Sequence, residues 1–333
     1  MATIKDVAKA ANVSPATVSR ILNNDSSLST SLETKQKVLD AAKALNYIKP
    51  KTKSTTKSAF HLGIVQWFSP AEELKDPYYL LIRQGIEDFC LQNCIEITRV
   101  FPSDMHSADS LKNADGIICI GKFSKQEVNL FRNITPNIVF LDMTLHDDTI
   151  TTLSLDFTQA VTTAMDYLTN LGHTSIGFLS GKEYVGGQEL FLDERKKAYE
   201  DYCKKHHLNY KAFVKEESFS IESGYHMMKQ LIYEGNLPTA IFAASDHIAV
   251  GAMKALEEAN IKVPEDVSII GFNDIELCSY TTPKLTTIHA PAYDMGQYGV
   301  NFLFGASNLN ISTPLKAKLP CRLIERESCT KRI

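Results

Sequence analysis

The stretch at residues 239–274, TAIFAASDHIAVGAMKALEEANIKVPEDVSIIGFND, holds two short apolar runs with a helical segment between them. TAIFAASD and VSIIGFND each end on polar turn residues, and HIAVGAMKALEEAN repeats its apolar positions at helical spacing. Strands of this kind, apolar on both faces and joined through a helix, belong to a parallel sheet covered on both sides. Outward from here the same alternation fills the chain from residue 60. The strand-like runs FHLGIVQWF, IEITRVF, ADGIICIG, NIVFLDM and SIGFLSG alternate with the helical segments YYLLIRQGIEDFCLQ, AVTTAMDYLTNLG and RKKAYEDYCKKHH. The body therefore reads as α/β with parallel doubly wound sheets, whose ligands sit at the carboxyl ends of the strands.

With 333 residues and 44% apolar side chains, the chain is long enough for two or three cores. No apolar run approaches the roughly 18 residues of a membrane span, and MATIKDVAKAANV carries charges where a secretory leader needs an apolar block. The expected location is the cytoplasm, with no membrane partner. The seven cysteines include no C-x-x-C pair, and Cys90 and Cys94 stand one helical turn apart, which predicts packing or surface thiols, no metal site and no cofactor. The net charge of −4 is unevenly shared. Residues 1–60 hold nine lysines and Arg20 against four acids, a net +6 that leaves −10 for the rest. A basic head on an acidic body points to a polyanion partner for the head alone.

In the head, Ile4, Val7, Ala8 and Ala11 share one helical face, and Asn12 and Val13 interrupt it. Ser14 caps a second helix with Pro15 at its first position, where a missing N–H costs nothing. Its inward face is Val18, Ile21 and Leu22; its outward face is Ala16, Thr17, Ser19 and Arg20. A third helix in SLETKQKVLDAAKALNY carries the apolar stripe Val38, Leu39, Ala42 and Leu45. Such a helix-turn-helix lays its second helix in a major groove. The hydroxyls of Ser14, Thr17 and Ser19 suit phosphates, the small side chains at 15 and 16 allow close approach, and Arg20 has the fork that reads a guanine.

TIKDVAKAANVSPATVSRILNN with KVLDAAKALNYI resembles the headpiece of the lactose and galactose repressor family. The resemblance implies base reading by Pro15, Ala16 and Arg20, and phosphate contacts from Ser14, Thr17, Ser19, Asn23 and Tyr47. A dimer of headpieces then reads a pseudo-palindromic operator in double-stranded DNA. The headpiece spans 1–48, and the polar, Lys-rich KPKTKSTTKSA at 49–59 is a linker. Here the chain departs from the family, whose hinge helices push a Leu into the minor groove. Thr56 stands nearest that position and no Leu lies between Ile48 and Leu62, so Lys51, Lys53 and Lys57 are expected to supply backbone charge instead of a wedge.

The stretch 239–274, with PKLTTI and the closing LIERESC, is similar to the effector-binding core of the same family, which resembles periplasmic sugar-binding proteins. That implies two subdomains around a cleft, 60–157 with 288–320 and 158–287 with 321–333. Family tetramers carry an extra heptad helix at the carboxyl terminus; this chain stops at Ile333 without one, which predicts a homodimer. A sugar needs carboxylate acceptors, a planar donor and a flat apolar wall. Asp246 and Asp142 are acceptors at strand ends, Asn273 donates and accepts, Arg195 supplies the fork, and Trp67 and Phe219 form the wall. All six correspond to effector-contact positions of the family. Where the family often has polar or aromatic groups, Ala290 and Ala292 stand.

The resulting expectation is a transcriptional repressor released from its operator by a small sugar effector, with a galactoside suggested by DPYYLLIRQGIEDFC and LDERKKAYEDY. Its alternative is a global catabolite regulator whose coeffector is a phosphorylated carrier protein. An enzyme is disfavoured, and no catalytic residues are assigned. No G-x-G-x-x-G follows the strand at Gly63, no Gly-Lys-Ser or Gly-Lys-Thr phosphate loop occurs, VGGQ at 185–188 lacks the spacing, and no G-x-S-x-G is present. A pure sugar-binding or transport module is disfavoured by the head and by the start of the chain.

Overall fold

The computed structural model describes residues 2–22, 30–45, 47, 60–74, 76–101, 109–187 and 189–332, the side chain of Leu32 excepted. The chain divides into two compact units, Met1–Thr56 and Lys57–Ile333. In the first, α1 (Ile4–Ala11) opens with a capping box. Thr3 Oγ1 accepts from the Asp6 N–H at 3.4 Å, and Asp6 Oδ2 accepts from the Thr3 N–H at 2.8 Å. Asn12, at φ 51°, ends it in the left-handed conformation. Then come α2 (Pro15–Leu22) and α3 (Leu32–Ala44), the latter capped by Ser31 on the Thr34 N–H at 3.1 Å. Val7, Ala8, Ala11, Val18, Ile21 and Val38 form the core. The expected stripe of α3 holds at Val38 and Ala42, but Leu39 and Leu45 are 47% and 39% exposed, and Ala41 packs against the core as well.

The second unit is built on two six-stranded sheets. Its elements run β1 (His61–Gln66), α4 (Pro70–Glu73), α5 (Tyr78–Asn93), β2 (Glu96–Val100), β3 (Gly116–Ile120), α6 (Lys125–Arg132), β4 (Ile138–Leu141) and β5 (Thr151–Leu155). The chain continues through α7 (Phe157–Asn170), β6 (Ile176–Gly181), the hairpin β7 (Glu183–Val185) and β8 (Glu189–Phe191), α8 (Glu194–Lys205), β9 (Val214–Glu217) and α9 (Ile221–Tyr233). It closes with β10 (Ala240–Ala243), α10 (Asp246–Glu258), β11 (Ser268–Asn273), β12 (Thr286–His289), α11 (Ala292–Leu309), β13 (Lys316–Leu319) and β14 (Arg322–Ile324). The first sheet, ordered β13-β5-β4-β3-β1-β2, is parallel throughout. The second, β14-β12-β11-β10-β6-β9, is parallel except for β14 against β12. The stretch 239–274 is the β10-α10-β11 unit at the centre of the second sheet. The chain thus passes between the sheets three times, after Leu155, after His289 and after Leu319.

Each sheet carries a helix pair in backbone contact. A Cβ on Gly85 of α5 would stand 2.1 Å from the Tyr293 carbonyl oxygen, and one on Gly296 of α11 would stand 2.0 Å from that of Ile82. The pair α9 and α10 repeats the arrangement, with Gly224 against the Ile248 oxygen at 2.1 Å and Gly251 against that of Ile221 at 1.9 Å. Apolar residues lie on both faces of both sheets, as a doubly wound α/β fold requires. No helix among the described residues is long and apolar enough to cross a membrane.

Candidate functional site

Two places carry chemistry. In the headpiece, Ser14 Oγ accepts from the Thr17 N–H at 3.0 Å and lies 2.8 Å from Thr17 Oγ1, so the two hydroxyls brace the start of α2. Pro15, Ala16 and Arg20 are exposed on the face opposite the buried Val18 and Ile21, with Thr17 and Ser19 half-buried beside them. Tyr47 packs against the headpiece core. Asn23, Lys51, Lys53 and Lys57 lie outside the described residues.

In the second unit a cavity of about 400 Å³ opens where strand ends of both sheets converge. Trp67 follows β1, Lys122 follows β3, Asp142 follows β4, Glu183 follows β6, Phe219 follows β9, Ser245 follows β10, and Asn273 ends β11; all line it. Parallel strands delivering their carboxyl ends to one space is the geometry by which this fold class builds ligand sites.

Five of the six residues expected at the effector site line this cavity: Trp67, Asp142, Arg195, Phe219 and Asn273. Trp67 meets Tyr79 edge-on at 5.7 Å and Phe68 at 5.0 Å, and Phe68 meets Tyr79 at 4.6 Å, giving an aromatic corner on the first sheet. Phe219 lies flat where Gly181 leaves room, since a Cβ there would stand 2.1 Å from its ring. Asn273 takes φ 111°, a region rarely adopted by a residue with a side chain. Asp274 beyond it (φ 62°) is held by Arg326 Nη2 at 2.7 Å and His289 Nδ1 at 3.0 Å.

Arg195 is 9% exposed. Its Nε donates to Asp193 Oδ1 at 2.9 Å, its Nη1 donates to the Ala244 carbonyl at 2.6 Å, and Phe157, Phe219 and Phe272 surround it with ring centroids at 5.3, 5.0 and 5.2 Å. Burial works against its charge, and Asp193, Glu183 and Asp142 more than offset that, so it stays a guanidinium. Asp142, at 3% exposure, accepts from Tyr78 and Tyr79 hydroxyls, each at 3.0 Å, and pairs with Lys122 Nζ at 2.6 Å. With three donors on its two oxygens, Asp142 mainly organises its neighbours, and a ligand meets the group as a whole. Burial, followed by Asp142, raises both tyrosines well above their usual range, so they remain donors.

Asp246 is the exception. It is fully buried and does not line the cavity: Oδ1 accepts from the Thr287 hydroxyl at 2.6 Å and Oδ2 from the Ile275 N–H at 2.9 Å. Its carboxyl joins α10 to the turn after β11 and to β12, and burial pushes it up to about 7 against the pull of those donors. The adjoining Ser245, cap of α10 through the Ile248 N–H at 3.3 Å, faces the cavity in its place. Sequence reading also passed over Tyr78, Tyr79, Lys122 and Glu183, which line the cavity from a helix start, a strand end and the hairpin. Ala290 and Ala292 are 5% and 3% exposed and sit in the core, so the crossover segment at these positions contributes no contact to the cavity.

Residues 3–50 match the family described as bacterial regulatory proteins, lacI family, and residues 165–329 match the periplasmic binding protein-like domain. The chain is 35% identical over 331 residues to the HTH-type transcriptional regulator GalR of Streptococcus thermophilus, covering 98% of this chain and 99% of the relative. It is also 35% identical over 341 residues to the HTH-type transcriptional repressor MelR of Bacillus subtilis (strain 168), covering 99% and 98%. The fold is shared with the lac repressor dimer bound to operator and the anti-inducer ONPF, at a TM-score of 0.72 and 24% identity over 99% of both chains. A complex of the transcriptional regulator CelR with cellobiose gives the same TM-score at 21% identity, covering 98% and 100%.

Proposed function

Because the chain belongs to the lacI family of bacterial transcriptional regulators, we propose that it is a cytoplasmic homodimeric repressor released from its operator by a galactose-containing sugar. A headpiece of this family binds DNA through its helix-turn-helix, and the exposed Pro15, Ala16 and Arg20 are the base-reading positions, with Ser14, Thr17, Ser19, Asn23 and Tyr47 on phosphates. The observation that carries the effector half is the cavity itself. It joins aromatic surfaces to Asp142 and Asn273 at strand ends and to Arg195 at the start of α8, the combination that a pyranose with one apolar face and several hydroxyls requires. Full-length similarity to regulators named GalR and MelR supports galactose as the sugar type.

Effector binding at a cleft between two sheets biases their relative arrangement, and operator affinity follows that arrangement; such coupling is typically about 1–3 kcal/mol. Trp67, the only tryptophan, stands in the cavity wall and reports binding by its fluorescence. Titration with galactose, melibiose, lactose and glucose, repeated with operator DNA present, should give a saturable change with a galactose-containing sugar and weaker DNA binding in the same concentration range. Operator affinity indifferent to every sugar that binds would overturn the inducer reading.

A further inference from the structure

The β7–β8 hairpin leaves the chain between β6 and α8 of the second sheet, yet it lands on the first. Phe191 packs against the cluster containing Phe123 and Phe140, with Lys122 Nζ 5.4 Å from its ring centroid, and a Cβ on Gly186 would stand 3.2 Å from that of Ser124. Glu183 and Tyr184, at the base of this bridge, line the cavity. The Glu183 carboxyl takes part in no side-chain hydrogen bond or ion pair among the described residues, whereas the side chains of Asp142, Lys122 and Arg195 are all partnered. Burial raises its carboxyl to about 7 against the pull of Lys122 and Arg195, so near neutrality it both donates and accepts, as a sugar hydroxyl does.

The aromatic surface of the cavity also falls into two groups. Trp67, Phe68 and Tyr79 cluster on the first sheet, and Phe157, Phe219 and Phe272 surround Arg195. The 400 Å³ of space would hold about thirteen waters at ~30 Å³ each, more than one pyranose displaces. We propose that the hairpin is a specificity arm on which Glu183 hydrogen-bonds a second sugar ring, so that the site takes a neutral galactosyl disaccharide in preference to galactose or a sugar phosphate. Phosphate is disfavoured because Lys122 and Arg195 already face carboxylates, and the lining acids Glu72, Asp76, Asp142 and Glu183 outnumber the lining cations Lys122, Lys182 and Arg195.

The inference rests on the sugar-effector reading above, and the test separates the two. Calorimetry on the full chain compares galactose, galactose 1-phosphate, melibiose, lactose and β-1,4-galactobiose. At least one disaccharide is expected to bind about tenfold or more tightly than galactose, with the phosphate ester weakest. In Glu183→Ala the disaccharide-to-galactose ratio should fall to within about threefold, and Glu183→Gln, which keeps a donor and an acceptor, should restore most of it. Tyr184→Ala, at a side chain 52% exposed and so tolerant of truncation, should lower the same ratio. Galactose or its phosphate binding as tightly as every disaccharide, or a ratio unchanged in Glu183→Ala, overturns the specificity arm alone. Silence toward all five sugars overturns the sugar-effector reading with it.

Discussion

Asp246 ties three pieces of backbone together from a fully buried position. Its native carboxyl lies at about 7, well above the ~3.9 of an unfolded chain, so between those values the native state binds the extra proton and stability falls as pH rises. Above both values the contribution is flat. Asp246→Asn keeps the shape, letting Oδ1 accept from the Ile275 N–H while Nδ2 donates to Thr287 Oγ1, and removes the titration. Urea unfolding of the two proteins from pH 4 to 8 should show the wild type losing up to about 4 kcal/mol relative to the variant across that window. A difference independent of pH would mean the carboxyl is not buried in this way. The same position shows why site residues are only partly legible in sequence. In AASD either Ser245 or Asp246 suits a helix start, and a shift of one residue at a strand end exchanges cavity for core. Trp67, Arg195 and Asn273 are large or polar groups beside recognisable strand ends or helix starts, and they read out directly. Glu183 sits in a short hairpin whose landing place depends on contacts distant in sequence, so no local pattern marks it.

Among the elements, the helix pairs α5 with α11 and α9 with α10 depend on glycines where backbones touch. Ordinary helix propensity favours alanine over glycine by ~1 kcal/mol, and Gly305 of α11, with nothing within 4 Å of its would-be Cβ, should follow that rule. Gly251→Ala must push α10 away from the Ile221 carbonyl and should destabilise by about 1–3 kcal/mol or more. Denaturant midpoints of Gly305→Ala and Gly251→Ala moving in the same direction would refute the contact. The strands divide along similar physical lines. Central strands such as β3 and β10 are apolar on both faces and visible in sequence, as are the helices between them. The edge strands β9 (VKEE) and β13 (KAKL) are polar because one side meets solvent, and β5 (TTLSL) alternates, so none stands out as an apolar run.

At the scale of the molecule, a basic headpiece and an acidic body divide the work. Removing residues 1–58 should abolish operator binding and leave sugar binding intact, as fluorescence and gel shift would show; loss of both would contradict independent units. The linker lysines belong to residues outside the described set, and their contribution is measurable. Each lysine that reaches a phosphate should add about 0.9 to the slope of log affinity against log salt, so Lys51→Gln, Lys53→Gln and Lys57→Gln should flatten it stepwise. With no Leu wedge in the linker, circular-permutation gel shifts should find only a small bend at the operator centre, and a strong central kink would count against that reading.

The last strands have a consequence for synthesis. β13 completes the first sheet and β14 the second, and Ser328 is buried with its Oγ donating to the Ile269 carbonyl at 2.6 Å and accepting from the Thr286 N–H at 2.8 Å. The first sheet therefore cannot close until the ribosome has passed residue 319, nor the second until it has passed residue 324, whereas the headpiece core is contained within residues 4–47. At 5–20 residues per second, the interval is roughly 15–55 s. Throughout it the nascent chain carries a finished reading head on an unfinished body, so binding to DNA as a symmetric pair is a property acquired only after translation.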